Sequence, residues 1–422
     1  PMLPDRLSGD LCSLHEGVPR ACIAVRMVLD AEGNKIGHTF HRGLMRSPAS
    51  LHYEEVQDAI DGNPNDRTGP LQEPVLKPIY AAYAALKAAR AERQPLDLNL
   101  PERRIELDAD GTVKSVNFKD RLDAHRLIEE FMVLANVAAA ETLLAKKTPL
   151  LYRIHEEPSP AKLDALRETA QAAGYTLAKG QAGTDDAELI NLSTLRSMTQ
   201  AYYGPAHIGH FGLALRSYAH FTSPIRRYAD LIVHRALITA HGWGNDGLSQ
   251  LDIEDIEQTG AHISDTERRS MVAERDTTDR YLASYLSERV GNEFSGRISG
   301  IARFGAFVKL DETGADGLLP MRSLGREYFH FDQDAGTLMG SDTGMMISVG
   351  QRVTVRLSEA VPVTGGIALE LLTLEGDAIS QGGKGGKRGR GGSAGRTNPK
   401  RKAVKAKRKS DKVKRKVKRT RQ

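Results

Sequence analysis

The stretch SYAHFTSPIRRYADLIVHRAL, residues 217–237, places two adjacent arginines where a helix should begin. The first turn of a helix carries the positive end of the macrodipole, so acidic residues normally occupy it, and a cation there costs a few tenths of a kcal/mol, up to about 1. Ser223 is a preferred N-cap and Pro224 suits the first helical position, so the helix is expected to open at Pro224 with Ser223 capping it. Ala229, Ile232, Val233, Ala236 and Leu237 recur at helical spacing and make a buried stripe. Arg226, Arg227, Asp230 and His234 fall on another face, three or four residues apart. In one account Asp230 neutralises both arginines on a solvated surface. In the sharper account the free N–H groups of the helix start, beside Thr222 and Ser223, and both guanidiniums await an anion. Helix N-termini are ready anion sites, and Arg grips phosphate through paired hydrogen bonds.

Working outward, 422 residues suggest about three domains. No apolar run approaches the ~18 residues that a membrane span needs. The opening PMLPDRLSGD has neither the basic start nor the apolar run of a signal peptide. It also lacks an initial Met, so the chain is expected to be processed, excised or truncated. Cys12 and Cys22 have no partners at metal-finger spacing, which argues against a zinc site or a disulfide scaffold and fits a reducing, cytoplasmic setting. Residues 381–422 hold 19 Lys and Arg and one acid, Asp411, whereas residues 1–380 hold 40 basic and 53 acidic residues. A mildly acidic body thus carries an intensely basic tail. The tail has too few apolar residues for a core and is expected to be disordered. Such arms bind polyanions, nucleic acid first; a solubilising role, an acidic protein or an acidic membrane surface are the other uses.

Between these landmarks the pattern alternates. RACIAVRMVLD and HTFHRGLMRS flank AEGNKIG as a hairpin, and SPASLHYEEVQDAI turns helical. PVLKPIYAAYAALKAARAER is an Ala-rich helix, RRIELDADGTVKSVNF a hairpin with a D-G turn, and DRLDAHRLIEEFMVLANVAAAETLLAKK a long helix. SPAKLDALRETAQAAG is a further helix between Ser159 and Gly174, and residues 248–289 continue helically. Near Val290 the texture becomes Gly-punctuated β sequence, suiting a small barrel of the OB type.

GHFGLALRSYAHFTSPIRRYADLIVHRAL closely resembles the signature of the RNB exoribonucleases, the family of ribonuclease II and ribonuclease R. RLIEEFMVLANVAAAE resembles their long helix, and PMLPDRLSGDLCSL resembles a segment just after their catalytic aspartates. The barrel and Lys-rich tail resemble the way these enzymes end, most of all those of the ribonuclease R type. The resemblance implies an α+β protein: an RNB catalytic domain over residues 1–289, a mixed sheet with packed helices, then an S-one-type OB-fold over 290–376 and the tail over 377–422. It also implies 3′-to-5′ hydrolysis of single-stranded RNA to nucleoside 5′-monophosphates, with magnesium as cofactor, and a monomer whose tail meets RNA, the ribosome or another partner. The awaited anion would be an RNA phosphate.

By position, Arg226 matches the family arginine at the scissile phosphate, while Arg227 and His220 grip the backbone or support the loop. Tyr53 matches the tyrosine that stacks on the terminal base, Glu274 a glutamate near the RNA end, and Glu129 or Glu130 another. On local physics alone, Tyr53 is an ordinary half-buried aromatic, Glu274 pairs with Arg275 or a neighbour on a solvated helix, and Glu129 and Glu130 pair with Arg126. In the barrel, Phe304 and Phe307 are candidates to stack bases, with one of the two in the core by strand alternation. Arg303, Lys309 and Arg322 are candidate phosphate contacts, and Pro320 stands where family barrels often carry a base-contacting His. The family's spaced aspartate cluster is absent, so no metal ligands are assigned. The expectation is that residue 1 falls inside a longer enzyme, after its aspartate loop, and that this chain alone binds RNA but cleaves it poorly. A non-catalytic RNA-binding relative and a translation-associated RNA binder are the alternatives.

Overall fold

The computed structural model describes residues 3–96, 102–119, 121–164, 167, 194, 198–325, 327–332 and 336–379. Strands β1 (Pro19–Leu29) and β2 (Lys35–Arg46) form the first hairpin. Helices α1 (Tyr53–Ile60) and α2 (Lys77–Arg93) follow, then the hairpin of β3 (Glu102–Leu107) and β4 (Val113–Lys119), and α3 (Asp123–Ala145). The short strands β5 (Tyr152–Ile154) and β6 (Tyr202–Gly204) pair with each other. Helices α4 (Tyr228–His241), α5 (Gln250–Glu254) and α6 (Ile256–Ser287) complete the first part. Every hairpin and helix expected within these residues is present. Most of the helix expected after Ser159, and all of the tail from 381 on, lie outside the described residues.

The α+β class follows from how these elements pair. Here the strands form three separate two-stranded antiparallel ladders. Parallel and antiparallel pairing meet instead in the barrel, whose strands are β7 (Glu293–Ala302), β8 (Gly305–Leu310), β9 (Asp316–Pro320), β13 (Arg352–Val361) and β14 (Gly366–Leu374). They run β13-β7-β8-β9-β14, with β13–β14 pairing to close the circle and β14 parallel to β9. Ala306, Val308 and Leu310 point inward at alternate positions, as the strand period dictates. The strands β10 (Phe329–Asp332), β11 (Thr337–Gly340) and β12 (Met346–Ile347) make a three-stranded excursion between β9 and β13. Strands this short, separated by polar Gly-containing turns, leave too little alternation for sequence to announce them.

Two cores matter for the site. The Ala-rich face of α3 (Ala135, Ala138, Ala139, Leu143) packs on Phe40 of β2, Phe221, and the stripe Val233, Ala236 and Leu237 of α4. Leu282, Ala283 and Leu286, the last turns of α6, enter the barrel core together with Val116 of β4. Helix α6 therefore ties the first part to the barrel.

One boundary corrects the sequence expectation. Helix α4 opens at Tyr228, not at Pro224, and its N-cap is Arg227, in extended conformation. Ser223 is not the cap: its carbonyl accepts the N–H of Arg226 (3.2 Å) and of Arg227 (3.1 Å), folding Pro224–Arg226 into a turn.

Candidate nucleic-acid interface

The turn before α4 is fixed from below by buried side chains. Asp230, in the first turn of the helix, is fully buried. Its carboxylate accepts the Ser223 N–H at 2.7 Å and two hydrogen bonds from the Arg227 guanidinium, both 2.8 Å. Burial disfavours charge on Arg227, but the bonds to Asp230 outweigh it and raise the guanidinium above its ordinary value. Asn136 of α3 uses both ends of its amide: Oδ1 accepts the Phe221 N–H at 2.8 Å and Nδ2 donates to the Tyr218 hydroxyl at 3.1 Å. His234 donates to the Phe221 carbonyl at 2.8 Å and stacks on the Phe221 ring.

Arg226 is different. It is exposed, and its side chain makes no hydrogen bond or ion pair among the described residues. The account in which Asp230 neutralises both arginines on a solvated surface is thus corrected on two points. Asp230 is not solvated, and it takes Arg227 alone. Thr222 lies beside this turn with its hydroxyl buried and without a hydrogen-bond partner among the described residues.

His220 sits under the same turn. Its Nδ1 meets the Tyr203 hydroxyl at 2.8 Å, and its ring packs edge-on to Tyr203 and Tyr218. Burial first, then the cations Arg227, Arg153 and Arg226, push its pKa down to about 2, so the ring is neutral. His210 is pushed down to about 4, by burial first and then by His155 and Arg153. Sequence reasoning missed Arg153 and Glu267: Arg153 bonds Glu267 of α6 at 2.6 Å and lies 4.6 Å above the Tyr203 ring. It also missed Asn136 and Tyr203. Their signal was available only as polar residues on otherwise apolar elements.

The remaining candidates lie on α1, α3, α6 and the barrel. Tyr53, the first residue of α1, is partly exposed and stacks on His125 of α3 at 4.1 Å; both His125 ring nitrogens are buried without a hydrogen-bond partner among the described residues. Glu129, one turn further along α3, is half-exposed and pairs with Arg121; Glu130 is buried and pairs with Arg90 at 3.2 Å. Neither pairs with Arg126, which meets Asp123 instead. Glu274 does not pair with Arg275, whose partner is Asp276. It lines a cleft with Arg103, Thr277 and Tyr281, and among the described residues it makes no ion pair.

In the barrel, Phe304 lies in the β7–β8 turn rather than in a strand, so the alternation argument that put one Phe in the core does not apply. Phe304 is exposed, and Phe307 and Lys309 sit on the outer side of β8. The two rings meet edge-on at 6.0 Å. Arg322 is exposed in the short turn after Pro320, where the Met321 N–H reaches the Phe304 carbonyl at 3.1 Å.

The chain matches known proteins in both sequence and fold. The RNB domain matches residues 1–241. The chain belongs to the RNB family. The S1 RNA binding domain matches residues 287–371. Ribonuclease R of Escherichia coli K12 is 36% identical over 424 residues, covering 91% of this chain and 52% of that protein. Ribonuclease R of Aquifex aeolicus is 36% identical over 371 residues, covering 84% and 52%. The chain thus spans about half the length of the curated relatives it matches. The apo structure of Mycoplasma genitalium RNase R aligns with a TM-score of 0.83 at 28% identity, over 88% of this chain and 61% of that one. A second structure of that protein, in complex with ribose methylated single-stranded RNA, aligns equally well. Yeast Ssd1, a pseudonuclease, shares the fold at a TM-score of 0.60 and 20% identity, over 80% of this chain and 43% of that one.

RNB-family chemistry implies magnesium, which takes near-octahedral oxygen ligands, usually including carboxylates. Among the described residues no three His, Cys, Asp or Glu side chains gather around a common point. The described residues therefore do not fit that ion. Among them, too, no helix is long and apolar enough to cross a membrane.

Proposed function

We propose that this chain grips the 3′ end of single-stranded RNA for 3′-to-5′ hydrolytic exonuclease chemistry that releases nucleoside 5′-monophosphates. The observation that carries the reading is the division of labour at 226 and 227: the Arg227 guanidinium is held by buried Asp230, and exposed Arg226 makes no hydrogen bond or ion pair among the described residues. Arg226 contacts the scissile phosphate and stabilises charge developing on it; fixed donors of this kind are usually the largest catalytic term. Arg227 and His220 are positioning residues. Thr222 and Ser223 lie along the strand, Tyr53 stacks on the terminal base, and Glu274 and the Glu129/Glu130 pair flank the RNA end. Phe304, Phe307, Lys309 and Arg322 hold the strand further back, and the basic tail adds phosphate contacts or meets the ribosome or another partner. Membership of the RNB family and the similarity to ribonuclease R support this assignment, with a cytoplasmic monomer as its setting.

A second reading is a non-catalytic RNA-binding relative, since among the described residues no three His, Cys, Asp or Glu side chains gather around a common point. Both readings expect the 422-residue chain to bind single-stranded RNA more tightly than a blunt duplex and to release little or no monophosphate in magnesium. Rapid magnesium-dependent release of nucleoside 5′-monophosphates would reject the binding-only reading. Failure to bind single-stranded RNA would reject both.

A further inference from the structure

The excursion β10–β11–β12 carries a side-chain row that the site above does not use. His330 stands directly opposite Met339, and Met339 directly opposite Met346, so the three lie side by side across the sheet. Tyr328, two residues before His330, packs edge-on against its ring at 4.8 Å. All four are exposed, Tyr328 the most, at 68%. The inward side of the same strands is the opposite in kind: Phe329, Leu338 and Ile347 are fully or almost fully buried in the barrel core.

We propose that Tyr328, His330, Met339 and Met346 form a platform on which the bases of single-stranded RNA stack, separate from the Phe304–Phe307 edge. The outward row contains no branched aliphatic side chain. It offers instead two flat π faces and two polarisable thioethers, which suit a planar partner. A base–aromatic stack is sequence-tolerant, because every base has a π face. The platform falls within the residues matched by the S1 RNA binding domain. Acids stand beside the row: the Glu327 carboxylate, held charged by the N–H groups of Asp342 and Thr343 at 2.6 and 3.0 Å, and exposed Asp332, two residues after His330 on the same side, so the row offers a strand base stacking and not a phosphate contact.

This inference rests on the RNA-binding reading, so its test separates the two. The full chain is titrated against a fluorescein-labelled oligoadenylate and against an abasic oligonucleotide of the same length, across a salt series. Tyr328→Ala should weaken oligoadenylate binding roughly 5- to 100-fold, the range of one base–aromatic stack, with an unchanged salt slope. Tyr328→Phe should keep wild-type affinity, Met339→Ala should show a smaller loss, and abasic binding should not respond to any of them. Equal oligoadenylate affinity for Tyr328→Ala and wild type overturns the platform while leaving the RNA-binding reading in place. An equal loss on abasic strands, or a loss expressed only in the salt slope, also overturns it. A wild-type chain that binds neither probe overturns both.

Discussion

Asp230 decides which of two neighbouring arginines is available. Its carboxylate is fully buried and takes two bonds from Arg227 and one from the Ser223 backbone. Breaking a buried pair by removing one partner leaves an uncompensated charge. Asp230→Ala should therefore destabilise the chain by about 3–5 kcal/mol, measured by denaturant unfolding. Arg226→Gln should leave that stability unchanged within about 0.5 kcal/mol, since the side chain is exposed and makes no hydrogen bond or ion pair among the described residues. The buried histidines add a pH dependence. His210 and His220 titrate at about 4 and about 2 in the fold, below the free value of 6.5, so the unfolded chain binds more protons. Their contribution is complete above pH ~6.5 and is lost as the pH falls toward the folded values. The melting temperature should accordingly drop between pH 7 and pH 5; a flat profile would show these rings to be accessible. The i,i+3 spacing of Arg227 and Asp230 was legible in the sequence. The burial that makes the pair exclusive depends on α3 and on Phe221 and was not.

At the scale of elements, alternation and helical periodicity announced most of the architecture. The β1–β2 and β3–β4 hairpins, the long α3 and α6, and the Gly-punctuated barrel all carry strong local signals. The start of α4 did not follow its local signal. Ser-Pro is a good helix opening in isolation, but Asp230 holds the Ser223 N–H and Arg227 extends, so the helix begins four residues later than Pro224. The excursion β10–β12 escaped because its longest strands have only four residues. Gly305 shows how tightly the barrel corner is drawn. Its φ is +153°, and an added Cβ would lie 2.1 Å from the Leu319 carbonyl oxygen of the facing strand. Gly305→Ala should force the β7–β8 turn off β9 and lower the unfolding free energy, measured by denaturant titration, by more than the ~1 kcal/mol of a simple Gly-to-Ala strain. A variant as stable as wild type would mean the corner relaxes without resistance.

Across the whole molecule, charge is segregated: the 42 residues from 381 on carry 19 cations against one acid, while the body before them is acidic. If the tail neutralises phosphates, removing residues 381–422 should flatten the salt dependence of RNA binding by about 0.7 in log–log slope for each phosphate it no longer neutralises. An unchanged slope would assign the tail to a partner other than RNA. We place the body's own hold on RNA at the turn before α4, where buried Asp230 holds Arg227 and exposed Arg226 makes no hydrogen bond or ion pair among the described residues. The most direct test is a salt titration of single-stranded RNA binding by the 422-residue chain and its Arg226→Gln variant. The variant should bind more weakly, with a slope smaller by about 0.7 and unchanged thermal stability. Identical affinity and slope in the two proteins would contradict a phosphate grip by Arg226.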